Sequence, residues 1–237
     1  PPPTFFGYQS IHYFMVFSPE QFMQQLASED LGQRLRAVNL LREIDPAVAF
    51  ELIQTVISDS SARVRYAAIS QFSTLGTQDK ETALTLLRGA LYHDPEADVQ
   101  AAAADSIGAL RLVEAYDDLA IAYQDTSEWI VQMSIVACLG ELGVDRGFDL
   151  LQQALQSENN LVALTAIGAM GELKDPRGIP LLLAFEKNDD WQVRHRLAQA
   201  LSNYLPTPQA DAVLPTLTAL TQDESEIVAD AARSHLP

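Results

Sequence analysis

The chain has 237 residues, 48% hydrophobic and 20% charged, with 32 acidic residues against 15 basic and a net charge of −17. It is too apolar for a disordered chain, and its charge argues against duplex DNA or an anionic membrane as the main partner, because long-range repulsion opposes both. A single cysteine, Cys138, excludes an internal disulfide and a Cys-rich zinc site, and the four scattered histidines form no HxxxH or HExxH pattern.

The first 17 residues hold six of the 18 aromatics: Phe5, Phe6, Tyr8, Tyr13, Phe14 and Phe17. This stretch reads either as an aromatic arm that docks on a partner or a second copy, giving a homo-oligomer, or as an extension upstream of a start at Met15. No Lys or Arg precedes Arg34, so no secretory signal is expected. No apolar run reaches the length of a membrane span. Together with the lone cysteine, this gives a cytoplasmic expectation.

From Ser18 onward the pattern is helical. Ser18-Pro19 with Gln21 three residues after the Ser spells a capping box at a helix start. Short helices follow, broken at Asp45-Pro46, Asp94-Pro95, 175–178 (DPRG) and 206–208 (PTP).

The chain is also self-similar. The stretch 64–69 (VRYAAI) recurs with anchors at Gln33, Val64, Val99, Val131, Val162, Val193 and Val228. Four residues after each anchor come Ala37, Ala68, Ala103, Ile135, Ala166, Leu197 and Ala232, and eight after come Leu41, Phe72, Ile107, Leu139, Met170, Leu201 and Leu236. These offsets trace one face of a helix. A second apolar helix precedes each anchored one, as in Leu84, Leu87 and Leu91. A single hairpin cannot bury both of its faces, but a stack of hairpins can. The predicted fold is therefore all-α: a right-handed α-solenoid of about seven hairpins over 18–237, with 1–17 as a separate arm.

Three stretches carry a family resemblance. Residues 175–183 (DPRGIPLLL), 189–194 (DDWQVR) and 198–201 (AQAL) resemble the HEAT-like repeats of the phycobilisome lyase family. Residues 140–146 (GELGVDR) and 171–177 (GELKDPR) echo the turn between such repeats. Residues 27–39, 94–105 and 127–132 are similar to members that act when the light-harvesting antenna is dismantled. The resemblance implies partners among the phycobiliproteins, such as phycocyanin, and assisted detachment of an open-chain bilin. The bilin would be a ligand or substrate and not a resident cofactor, and no metal is implied. Two other functions stay open: a non-catalytic adaptor presenting antenna proteins to proteolysis, and a generic HEAT-like interaction scaffold.

A bilin site needs an Arg for the propionates, a polar group for the ring nitrogens and an aromatic face. Proton transfer near neutral pH suits a His. Offsets −2, 2, 3, 6 and 10 from each anchor are expected on the concave face. In the sixth repeat these positions hold Trp191, His195, Arg196, Gln199 and Asn203, so His195 is the candidate catalytic residue and the others candidate binding residues. Trp129 occupies the Trp191 position two repeats earlier and joins the binding set. Tyr66, in the second repeat, is too far from His195 to serve the same bond. Cys138 reads as a packed structural thiol. Arg34, Arg65 and Arg194, with Asp59, Asp94 and Asp189, are expected to form a ladder between hairpins.

Overall fold

The computed structural model describes residues 18–236. The N-terminal arm assigned to 1–17 lies outside the described residues. Fourteen α-helices occupy the described chain, with no strand among them. In order they are α1 (Pro19–Leu26), α2 (Leu31–Leu40), α3 (Pro46–Ile53), α4 (Ala62–Leu75), α5 (Lys80–His93), α6 (Ala97–Leu110), α7 (Tyr116–Asp125), α8 (Trp129–Leu142), α9 (Phe148–Ala154), α10 (Asn160–Leu173), α11 (Gly178–Leu183), α12 (Trp191–Ser202), α13 (Ala210–Leu220) and α14 (Glu226–Arg233). They pair into seven hairpins. Among the described residues no helix is long and apolar enough to cross a membrane.

The loops end where the sequence supplies caps. Ser18 and Gln21 close the capping box of α1 reciprocally. The Asp45 carboxylate accepts from the amides of Ala47 and Val48, with Pro46 as the first helical residue of α3. Asp30, Asp79, Asn159 and Asp190 cap α2, α5, α10 and α12 in the same way.

Every anchor lies on an even-numbered helix, and these helices pack on one another down the chain far more closely than the odd-numbered ones do. The stack therefore curves toward the even row, which forms its concave face. All seven residues at offset four are fully buried, as are Leu41, Phe72, Ile107, Leu139, Met170 and Leu201 at offset eight. The fold is an α-solenoid with one continuous core.

Two kinds of joint hold the even row together. In the first, an Arg one residue past the anchor reaches the next repeat. Arg65 grips Asp94 with two bonds, Nε to Oδ2 at 2.6 Å and Nη2 to Oδ1 at 2.9 Å, and Arg194 grips Asp223 the same way at 2.7 and 2.9 Å. Arg34 donates to Asp59 at 3.1 Å. Each of these guanidiniums also ties back its own loop, donating to the carbonyl of Ser28, Asp59 or Asn188. This corrects the expected ladder at one rung. Asp189 offers Arg194 only its backbone carbonyl, and the carboxylate partner is Asp223, because each Arg reaches forward rather than to its own loop.

The second kind of joint has no ion pair. Gln100, Gln132 and Ala163 replace the Arg at this register, and the two glutamines only tie back their own loops. Glycine takes over nine residues past the anchor. A Cβ on Gly108, Gly140 or Gly171 would stand 3.1, 2.8 or 2.5 Å from the Cα of Cys138, Ala169 or Ala200 on the following helix. The backbones approach this closely only because neither side presents bulk. Gly140 and Gly171 thus lie inside α8 and α10, within the stretches the sequence pattern assigns to turns. The same three repeats end their inner helices with a left-handed residue: Arg111 (φ 53°), Gly143 (φ 63°) and Lys174 (φ 57°).

Candidate functional site

The sixth repeat brings its candidate residues onto one exposed strip of α12. Trp191 is the first residue of the helix and 42% exposed, and its ring meets that of half-buried His195 edge-on at 6.5 Å between centroids. Arg196 lies across Gly168 of α10, with its Cδ 3.3 Å from where a Cβ would stand, so the missing side chain gives the arginine its bed. Its Nη1 donates to Gln199 Oε1 at 3.4 Å, and among the described residues it has no ion pair. Arg194, two residues away, is buried and fully committed to Asp223, Glu224 and the carbonyls of its own loop. Neighbouring arginines therefore divide the work: one holds the stack and the other is available to an anion. Asn203 caps the C-terminal end of the helix about two turns beyond Arg196. Trp129 stands at the same register on α8, also 42% exposed, two helices away and outside the α12 strip.

Among the described residues no carboxylate is hydrogen-bonded to His195, so nothing within the strip fixes its tautomer. The strip offers an aromatic face, an imidazole and an unpaired guanidinium. That set can hold an anionic, planar group and can carry a proton once a partner supplies the other end.

A second feature lies elsewhere on the concave face. A groove of about 440 Å³ runs over α4, α6 and α8, lined by Tyr66, Arg63, Asp98, Asp105, Met133 and Ser134 among others. Its floor is small and apolar, with Ala101 and Ala102 buried beneath it. Asp105 is open to water yet walled in by the concavity. The loss of surrounding solvent raises its carboxyl above the usual range, partly offset by a hydrogen bond from Ser134. Glu141 is raised by burial first, then by the neighbouring Glu172 and Asp105. The expectation centred on the sixth repeat missed this groove. Its sequence signal is one carboxylate, Asp105, at offset six in an otherwise apolar run (101–110, AAAADSIGAL).

Cys138 is buried on α8, and burial, with Glu141 and Asp105 adding to it, pushes its thiol far above the range of a reactive cysteine. It packs against Gly108 of the preceding helix. No metal-holding cluster of His, Cys, Asp or Glu occurs among the described residues.

The family model for HEAT repeats matches residues 19–108, 72–140, 116–202 and 148–236, which together span the described chain almost end to end. The chain belongs to the HEAT-repeat family. Solved structures that resemble it in fold include two of note. A chain of the complex of CpcE and CpcF of phycocyanin lyase from Nostoc sp. PCC7120 aligns over 100% of this chain and 100% of its own at TM-score 0.58 and 22% identity. YibA from E. coli aligns over 91% of this chain and 80% of its own at TM-score 0.61 and 15% identity. At these identities the likeness is one of fold. No curated protein matches the sequence.

Proposed function

We propose that this HEAT-repeat protein binds phycobiliproteins along its concave face and assists detachment of the bilin during antenna breakdown. The observation that carries the reading is the α12 strip, where Trp191, His195 and an Arg196 without an ion pair share one face. Arg196 would hold a propionate, Trp191 would lie against the conjugated rings, and His195 would move a proton at the thioether. Gln199 and Asn203 would meet the ring nitrogens or the protein around them. The family resemblance of 175–183 and 189–194, and the shared fold with a phycocyanin lyase complex, support the same reading.

A non-catalytic adaptor is the second reading, favoured by the lack of a hydrogen-bonded carboxylate behind His195. Mixing the protein with holo-phycocyanin separates the two. Loss of the visible band with free bilin in a denaturing extract supports detachment, whereas co-elution with the band and the bilin intact supports the adaptor. His195→Ala should abolish release while sparing binding, and Arg196→Ala should weaken both. Tyr66→Ala should leave release at the wild-type rate. Wild-type behaviour of both α12 variants would overturn the assignment of the site.

A further inference from the structure

The groove over α4, α6 and α8 lies about two helix spacings from α12, or roughly 16–20 Å at the usual 8–10 Å per packed pair. It is therefore separate from the strip assigned to the bilin. Its volume, about 440 Å³, suits one or two side chains rather than a folded domain. Its walls decide the sign of what enters. Glu96, Asp98 and Asp105 supply three carboxylates against the single guanidinium of Arg63. The N-terminal turns of three helices open nearby, and their partial positive ends would favour an anion. Those partial charges are about half a unit each at most, and Glu96 and Asp98 stand at the start of α6, where they offset that helix's share.

The polar and apolar parts of the groove are arranged for a long amphipathic cation. Tyr66 is 48% exposed at one edge, and Met133 and Ile130 form the other. Ala101 and Ala102 leave a flat floor between them. Asp105 lies past this apolar stretch, and among the described residues no cation is paired with it. A lysine or arginine stem could lie on the alanines beneath the Tyr66 ring with its charged head at Asp105.

We propose that this groove docks a basic amphipathic segment of a partner protein. One Lys or Arg of the segment reaches Asp105, Asp98 adds its charge some two helical turns away at the start of α6, and an adjacent apolar side chain packs on Met133 and the alanine floor. The proposal does not depend on the antenna reading, since neither its residues nor its probe involves a bilin.

The test is a fluorescence-anisotropy titration of the full chain with a labelled peptide of alternating Lys and Leu residues at physiological salt, alongside the matching Glu and Leu peptide. The Lys/Leu peptide should bind and the Glu/Leu peptide should not. Asp98→Asn with Asp105→Asn should weaken binding by about ten-fold or more, as expected when a close interfacial charge pair is removed. Glu51→Gln with Asp211→Asn, an equal change in charge on the outer helices α3 and α13, should leave it unchanged. Met133→Arg, which places a cation in the groove, should block binding without removing any carboxylate, so it tests the proposal even if the double variant is unstable. Equal losses in the two double variants would show attraction by net charge alone and overturn the site. So would wild-type binding by Met133→Arg. A mass doubling in sedimentation that the Asp98/Asp105 variant abolishes would identify a second copy of the chain as the occupant instead, also overturning it.

Discussion

The two ends of the solenoid and its middle are joined by different chemistry. Repeats one to three and six to seven are stapled by arginines 34, 65 and 194, each spanning to the next hairpin. Repeats three to six have no such rung, and their inner helices touch backbone to backbone through Gly108, Gly140 and Gly171. The registers are complementary: where the arginine is present, the position nine past the anchor is Arg42, Ser73 or Ser202, and where it is absent, that position is glycine. A joint can be secured by a long side chain crossing the gap or by removing the gap. Helices α6 and α12 are the two that carry one kind of joint on each side. The acidic groove centres on α6 and the Trp–His–Arg strip lies on α12.

The largest expected effect breaks the middle. Gly171→Ala places a Cβ 2.5 Å from the Cα of Ala200, a clash with backbone that no rotamer relieves. It should cost about 3 kcal/mol, at the upper end for overpacking. The same register in a stapled joint, Ser202→Ala, should change stability by roughly 0.5 kcal/mol or less. Urea midpoints measure both, and equal costs would erase the distinction between joints.

Breaking the end is expected to cost less. The Arg194–Asp223 pair is nearly closed to water but lies just beneath the surface, so its screening falls between that of an exposed and a fully buried pair. Arg194→Met should therefore lose about 1–3 kcal/mol. Combined with Asp223→Asn, the total should fall short of the two losses added, as a double-mutant cycle would record.

Acid should sharpen the comparison. The Arg194 guanidinium holds the Asp223 carboxyl below its ordinary value, so its contribution is present above about pH 4 and lost as pH falls through the folded value. Asp105 and Glu141 have the opposite sign. Loss of surrounding solvent raises both, Asp105 within the concavity and Glu141 by partial burial, so their part of the stability is greatest in acid and declines as pH rises from about 4 through their folded values. Stability measured from pH 3 to 7 should lose part of its acid limb in Asp223→Asn. In Asp105→Asn the decline on the way to neutral should be shallower.

The smallest effect concerns the helix ends in the middle. Lys174 holds φ at 57°, where only its neighbour-repeat counterpart Gly143 is unstrained. Lys174→Gly should stabilise by about 0.5–1 kcal/mol, visible as a raised urea midpoint. Gly143→Ala should do the reverse.

Much of this architecture was legible in the sequence. The anchors and their partners at offsets four and eight follow helical periodicity, and the stack buries offset four in all seven repeats and offset eight in the first six. The Asp-Pro and Ser-Pro helix starts were equally plain. The expected ladder has one wrong member: Asp223 stands five residues before its anchor, as Asp59 and Asp94 do, whereas Asp189 stands four before, and the stack shows the arginine reaching forward to that register. The three glycines stand in register, but the sequence pattern assigns Gly140 and Gly171 to turns and gives Gly108 no such role; what they do depends on how near the next helix comes. The candidate strip on α12 follows from offsets alone, whereas the groove needs curvature, which brings Tyr66, Asp105 and Met133 from three repeats to one opening.

The alternation of joints also sets how such an array could change its length by duplication. A copy of the second repeat would fit beside its parent, since it carries both Asp59 to receive an arginine and Arg65 to reach onward. A copy of the fourth would fit equally well, with Gly140 facing the small Cys138 of its twin. The third and sixth repeats are adaptors, receiving one kind of joint and offering the other. Two copies of the third in a row would set Gln100 against Asp94 with no arginine between them. Growth is open within each block and closed at its borders, so α6 and α12 are the two positions where the array has to keep a single copy.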